Sequence, residues 1–351
     1  MPGSKGNTSI FSKVIRSRHS VSNVFGYGLA ESIDLESAAE SDKKLIVMLR
    51  KMINRRNDTI RPLTDADTLL VEARSLIDCG DVGAVDGTNA FSPIDLMNFT
   101  TLGVSAIWMT TQQTSDPNIS VTYSSTQYRD PSELSSEAAI LDLCRELDRG
   151  RDDHSWQRTF REYVERECAM TCPANWVMID GPIFTQNLLT QEVGRALLDR
   201  MMREDTHWMG VIKDLRQAQS IVRNVGMALE PGEYCIVGSS RSGLKERFDG
   251  VDDSWLNDWD AEERYVRVVY RPKNKAFCVE CLREDVEMVL AILVDNQSKA
   301  LNHELPILME LVDAKCRAEN AAKAVSDNLR QQVMREDYKM GVDVSDEREM
   351  R

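Results

Sequence analysis

Hydrophobic positions along the chain change period several times, and each change marks an element. From Asp42 to Arg56 the run Leu45, Ile46, Met48, Leu49, Met52, Ile53 has helical spacing with Lys and Arg between, which predicts a core-facing helix with a basic outer face. Thr64 with Asp67 three residues later resembles a capping pair, and Leu69, Leu70, Ala73, Leu76 and Ile77 follow as one stripe closed by Gly80. Val82 to Val85 are small or β-branched and lead into Asp86, Gly87 and Thr88, the pattern of a buried strand that ends in a carboxylate. Trp176 to Ile179 repeat that grammar before Asp180, Gly181 and Pro182.

Between these two runs, Phe99, Leu102, Val104, Ala106, Ile107, Trp108 and Met109 predict one or two strands joined to the first by a hairpin. Helical periodicity returns from Ser132 to Gly150 and from Ser155 to Ala169, each segment opened by a Ser cap. Beyond Pro182 come a helix through Leu188, Leu189, Val193, Leu197 and Met201, a strand from Trp208 to Ile212 ending at Lys213, and a helix through Leu215, Ala218, Ile221 and Val225. Strand and helix in alternation predict a parallel α/β arrangement. Strands at Tyr265–Tyr270 and Ala276–Leu282 flank the basic turn Arg271 to Lys275, suited to a nucleic-acid backbone, and a last helical region runs from Pro306 to Met334.

The expected organisation is a poorly ordered polar arm over 1–40, N-terminal helices over 41–80, one α/β domain over 81–320 and a helix end with a charged tail over 321–351. Within the domain, 112–131, rich in Ser, Thr, Gln and Tyr, reads as an insertion or an edge strand.

Composition narrows the function. A net charge of −14 over 351 residues argues against coating nucleic acid or an anionic membrane with the whole surface, so any such contact is local. No apolar run is long enough to span a bilayer, and the first residues, with Lys13, Arg16 and Arg18 among Ser and Asn, lack the apolar core of a signal peptide, so the expectation is a cytoplasmic protein without a membrane partner. The eight cysteines are scattered, and the single Cys-x-x-Cys at Cys278 and Cys281 would need Cys168 and Cys172 to come together with it by tertiary coincidence to make a zinc site. Gly238 to Lys245 imitates a phosphate loop but lacks the Gly-Lys-Ser/Thr ending, which excludes that class of NTPase.

The chemistry lies at the two Asp-Gly corners. An ionised carboxylate at the end of a buried strand needs a counter-charge, several hydrogen bonds or a metal, and two side by side repel. A hard divalent cation such as Mg²⁺ or Mn²⁺ removes that repulsion through oxygen ligands, while glycine after each Asp permits close approach of a backbone or a phosphate. The plainer alternative is a pair of Asp-Gly turns at strand ends. On the helix from Ser155, Phe160, Tyr163, Val164 and Cys168 define an apolar arc that contains Glu167 and excludes Glu162 and Glu165, so helical phase selects Glu167 as the carboxylate facing the sheet. Lys213, closing its strand, suits a phosphate-facing cation, the alternative being a solvated lysine.

These motifs in this order resemble the NurA nucleases, whose partner is the HerA hexameric DNA translocase. The resemblance rests on Val85-Asp86-Gly87-Thr88, a Glu-bearing helix followed by Val177-Met178-Ile179-Asp180-Gly181-Pro182-Ile183, the Val211-Ile212-Lys213 strand, Phe277-Cys278-Val279-Glu280, and Leu305-Pro306-Ile307-Leu308 with Asp313 after it, over roughly residues 80 to 318. It implies an RNase H-like mixed sheet flanked by helices and a DNA nuclease dependent on Mn²⁺, with Mg²⁺ possible. It also implies a homodimer set against a HerA-like ATPase, acting in DNA end processing or in defence against foreign DNA. By that likeness Asp86 and Asp180 are metal ligands and a helix glutamate, Glu167 or Glu165, is the third. Asp313 stands where the family carries His, changing the fourth ligand from nitrogen to oxygen; His303 is near but precedes the helix. The mechanism implied is hydrolysis at two metal ions about 4 Å apart with Asp86 bridging and Lys213 steadying the phosphate. The competing readings are a non-catalytic adaptor of the translocase and, more distantly, a nucleotide-processing hydrolase.

Overall fold

The computed structural model describes residues 43–51, 53, 60–63, 66–94, 99–116, 121–125, 153–213, 215, 220–239, 264–273, 275–296 and 306–319. The polar arm before residue 40, the Thr64 cap, the helix expected over 132–150, Ala218, the run from Ser240 to Lys245, His303 and the tail from 320 onward lie outside them. The chain divides into two compact units, Met1–Arg56 and Asn57–Arg351, so the segment expected as N-terminal helices over 41–80 is split between them. In the smaller unit residues 43–51 and 53 are helical, with Leu49 and Ile53 buried but Leu45, Val47 and Met48 exposed.

The larger unit contains the strands β1 (Ile60–Pro62), β2 (Val82–Ile94), β3 (Phe99–Thr110), β4 (Val121–Ser125), β5 (Trp176–Asp180), β6 (His207–Ile212), β7 (Glu233–Ser239), β8 (Tyr265–Arg271) and β9 (Phe277–Leu282). Its helices are α1 (Ala66–Asp78), α2 (Asp153–Met170), α3 (Gln186–Leu189), α4 (Glu192–Met202), α5 (Ser220–Ala228), α6 (Val286–Asp295) and α7 (Ile307–Glu319). The strands form one nine-stranded sheet in the order β1-β7-β8-β9-β6-β5-β2-β3-β4. An antiparallel meander of β2, β3 and β4 is followed by β5 and β6, both parallel to β2 and reached over helices. That half of the sheet is RNase H-like, and β9, β8, β7 and β1 extend it with antiparallel pairings. The fold is therefore α/β, a mixed sheet flanked by helices.

The central strands read as continuous apolar runs because both of their faces are covered. On one face Val85, Val104, Val177, Ile179 and Trp208 pack with Phe160, Val164 and Cys168 of α2, Leu188 and Leu189 of α3, and Leu197 and Met201 of α4. On the other, Ala84, Ile107, Met178, Met209 and Val279 pack with Ala73 and Ile77 of α1, Leu290 and Leu293 of α6, and Leu308 and Val312 of α7. The two-residue alternation of β5 sends Val177 and Ile179 one way and Met178 the other, as strand geometry requires.

The two Asp-Gly corners differ. β5 stops at Asp180, where Gly181 takes φ +89°, a conformation that side chains other than hydrogen rarely adopt, and Pro182 follows. β2 does not stop at Asp86: Thr88 to Ile94 continue the ladder against Phe99 to Ser105 of β3, so Asp86 sits within a long strand rather than at its end. Cys278 and Cys281, three apart on β9, fall on opposite faces and so do not converge on one zinc ion, and the seven described cysteines form no disulfide. No helix among the described residues is long and apolar enough to cross a membrane.

One buried ion pair fastens the segment after Asp180 to the sheet. Arg267 of β8 faces Glu280 of β9 across the ladder, with Nε 2.6 Å from Oε1 and side chains only 2% and 0% exposed. The other carboxylate oxygen of Glu280 accepts from the N–H of Ile183 (2.9 Å) and of Phe184 (3.3 Å). Removing one partner of such a pair leaves a buried charge uncompensated, so Arg267→Ala is expected to cost about 3–5 kcal/mol in urea denaturation. Pairing Arg267→Met with Glu280→Gln, which removes both charges and keeps an acceptor for the two amides, should cost much less; equal losses for the single and double variants would contradict this.

Candidate active site

Asp86 points to the side of the sheet crossed by α7, where the thiol of Cys316 reaches the Asp86 carbonyl oxygen at 3.6 Å. Val85 and Ile179 are the last paired residues of the parallel β2–β5 ladder, so Asp86 and Asp180 follow as neighbours. Asp313 enters from α7 onto the same cavity wall, near enough to raise the Asp86 carboxyl. Glu165 arrives from α2 on the opposite face, and Gly87 admits it: a Cβ at position 87 would lie 2.5 Å from Glu165 Cγ. The glycine after the first Asp thus makes room for the Glu165 side chain rather than for a backbone. Together Asp86, Gly87, Thr88, Asn89, Arg161, Glu165, Asp180, Asp313 and Arg317 line a cavity of about 150 Å³.

Burial and mutual repulsion govern its electrostatics. Burial first, then the Asp180 charge and the neighbouring Asp313, push the Asp86 carboxyl up to about 7, with Lys213 pulling the other way. Burial pushes Glu165 up to about 8 against the pull of Arg161 and Arg166, with Asp86 and Glu162 adding repulsion. Basic side chains supply the compensating charge. Arg161 Nε lies 3.1 Å and Arg166 Nη1 3.5 Å from the Glu165 carboxylate, Lys213 Nζ donates to Asp180 Oδ2 at 3.0 Å, and Arg317 Nε lies 2.8 Å from Asp313 Oδ1.

The Asp180 corner is held from both sides. Arg166, fully buried, donates to the carbonyl oxygens of Pro182 (2.7 Å), Ile183 (3.3 Å) and Glu162 (2.8 Å), while Glu280 accepts the amides of Ile183 and Phe184. Arg166 therefore ties the Glu165 helix to the Asp180 loop. Glu162 is buried as well, receiving Thr185 Oγ1 at 2.6 Å and Asn187 Nδ2 at 3.1 Å, which fixes the start of α3.

The structure brings Asp86, Glu165, Asp180, Lys213 and Asp313 together and leaves Glu167 out. Glu167 binds Arg200 of α4 at 2.6 Å and receives the Tyr163 hydroxyl at 3.0 Å, facing away from the corners. The apolar arc of α2 misleads because this helix is packed on two sides, against the sheet and against α4, and part of that arc faces α4. Glu162 and Glu165, placed outside the arc, are 4% and 3% exposed. Sequence reasoning also missed Arg161 and Arg317, although each stands four residues from its carboxylate partner, a helical pair spacing that was there to be read. Arg166 and the direction of Glu280 carried no local signal. The basic turn after β8 lies at the same end of the sheet as Lys213, since Cys278 of β9 pairs with Ile212.

Among the described residues no three His, Cys, Asp or Glu side chains form a ready coordination shell. The donor chemistry nevertheless fits a hard divalent cation: the acidic groups are all carboxylates, two of them are driven toward the protonated state by burial and repulsion, and the others are held by cationic side chains. Asp86, Glu165, Asp180 and Asp313 would hold such an ion.

No protein-family model matches the chain, and no curated protein matches its sequence. Among solved structures it is similar to the NurA nuclease from Sulfolobus solfataricus, at 10% identity and a TM-score of 0.42 over 81% of this chain and 97% of that one. It is also similar to NurA bound to dAMP and manganese (7%, 0.37, 80% and 93%) and to endonuclease V from Bacillus subtilis (12%, 0.29, 78% and 99%). At these TM-scores the likenesses assign nothing to this chain, and its reading rests on its own residues.

The raised acids make stability depend on pH in the metal-free protein. Between the ordinary carboxylate range and the raised values, the folded state holds protons that the unfolded state has lost, so folding weakens as pH climbs. Melting temperature is expected to fall from about pH 4 to about pH 8, through the raised values of Asp86 (about 7) and Glu165 (about 8), then level. Asp86→Asn and Glu165→Gln should each flatten that decline; an unchanged profile in both variants would contradict the assignment.

Proposed function

We propose that this chain is a divalent-metal-dependent deoxyribonuclease, with Asp86, Glu165, Asp180 and Asp313 as its metal-holding residues. One observation carries the reading: carboxylates from β2, α2, β5 and α7 line one cavity of about 150 Å³ in an arrangement that costs the apo protein stability. Mn²⁺ or Mg²⁺ held there supplies a Lewis acid and a water more acidic than bulk water. The protein's own groups do the rest. Lys213 stands beside Asp180 to offset phosphate charge, Thr88 and Asn89 offer polar groups at the cavity wall, and Arg166 with Glu280 keeps the Asp180 corner at a fixed distance from Glu165.

DNA is the proposed substrate, with the basic turn from Arg271 to Lys275 as a backbone contact on the same sheet end. The motif order resembling NurA supports a cytoplasmic homodimer working with a HerA-like hexameric ATPase in DNA end processing or defence against foreign DNA. The net charge of −14 is consistent with that division of labour, because a translocase that delivers DNA replaces diffusional capture of one polyanion by an acidic protein.

In Mn²⁺ the protein is expected to cut DNA, and a HerA-like ATPase to stimulate cutting of long duplex in an ATP-dependent way. Asp86→Ala, Asp180→Ala and Glu165→Gln should each lose ~100-fold or more, the scale of removing a group that stabilises developing charge. Glu167→Gln should stay within a few-fold of wild type. Wild-type protein that leaves DNA intact in Mn²⁺ with and without the ATPase would favour the adaptor reading instead.

A further inference from the structure

The cavity wall carries two guanidiniums whose present partners are the carboxylates a metal would need. Arg161 on α2 lies against Glu165, and Arg317 on α7 against Asp313, from opposite faces of the sheet. Neither arrangement is a firm end state. The buried Arg161 Nε has no aligned hydrogen bond despite its 3.1 Å approach to Glu165, and the Arg317 side chain is 73% exposed, where ion pairs contribute little. Each guanidinium on the cavity wall is turned to a carboxylate, so in this state neither is presented to a phosphodiester. A divalent cation competes for the same oxygens with twice the charge, and a guanidinium displaced from a carboxylate presents a planar set of donors matched to phosphate.

We propose that Arg161 and Arg317 are the phosphate-binding residues of this site, stored on Glu165 and Asp313 until a divalent cation takes those carboxylates. This rests on the proposed function and deepens it, since it makes phosphate binding conditional on metal binding. The exchange breaks and forms only ion pairs and hydrogen bonds. Both arginines then stand on the cavity wall beside the metal-holding oxygens, on either side of the strand that bears Asp86, where a phosphodiester entering the cavity passes between them.

The test uses the full chain with Arg161→Gln, Arg161→Lys and Arg317→Gln, the last at an exposed position where folding is not at risk. Mn²⁺ binding to protein alone is measured by calorimetry, and binding of a fluorescein-labelled single-stranded oligonucleotide by anisotropy with Ca²⁺ replacing Mn²⁺, so that affinity is read without turnover. Wild type should bind the oligonucleotide only when the divalent ion is present. Both Gln variants should bind Mn²⁺ at least as tightly as wild type, because a competitor for the carboxylate is gone. Their oligonucleotide affinity should fall on the order of tenfold, with the slope against log salt reduced by about 0.7 for each phosphate that is no longer neutralised. Arg161→Lys should recover part of that affinity. Oligonucleotide affinity and salt slope equal to wild type in both Gln variants, in a protein whose wild type binds Mn²⁺ and cuts DNA, would overturn this inference and leave the nuclease reading standing. A wild type that binds no Mn²⁺ would overturn both.

Discussion

Repulsion among carboxylates placed where water is scarce is the constraint on which this structure depends. Asp86 is 7% exposed, and beside it stand Asp180 at the end of the parallel neighbour, Asp313 on α7 and Glu165 on α2. Burial and neighbouring charge destabilise the Asp86 and Glu165 carboxylates, and neutral substitutes there would make the same sheet easier to fold. Retaining them in one small cavity is explained by a ligand that reverses the sign of the interaction. A divalent cation does so, and its binding then stabilises the folded state.

The surrounding fold is organised to keep the repelling groups in place. The Asp180 corner is tied on both sides: Arg166 holds its carbonyls from α2 while Glu280, itself balanced by Arg267, holds its amides from β9. Those buried ionic contacts join helix, loop and the antiparallel half of the sheet at one point. The extension of the sheet through β9 and β8 therefore serves the site directly, since it provides the carboxylate on which the loop after Asp180 rests.

How much of this was legible in the sequence follows from the range of the forces involved. Asp86 and Asp180 stood out because each closes a short apolar run and precedes glycine, a local pattern that reflects burial of the strand. The mixed α/β sheet was implied by alternating periods and by the family resemblance; the order of its nine strands was not. Glu165 was offered beside Glu167 by the family resemblance alone; helical phase excluded it, since phase treats a helix as having one buried side, whereas α2 has two and its polar residues Glu162, Glu165 and Arg166 are buried through ionic and hydrogen-bonded partners. Glu280 was visible as a lone acid in an apolar strand, but its direction depended on Arg267 and on a loop nearly a hundred residues away. The continuation of β2 past Asp86 escaped notice because its pairing with β3 is set by the partner strand rather than by hydrophobic alternation.

If a divalent cation is the partner these carboxylates lack, metal binding must release protons, and that release is the most direct test. Groups raised to about 7 (Asp86) and about 8 (Glu165) must lose their protons before their oxygens can bind a cation. Calorimetric titration of Mn²⁺ into the metal-free protein, repeated in buffers of different ionisation enthalpy, gives the number of protons released. Release of about one proton or more is expected at about pH 6, fading toward zero above about pH 8, where both groups are already ionised. Binding without proton release at about pH 6, or no binding at all, would contradict the metal assignment.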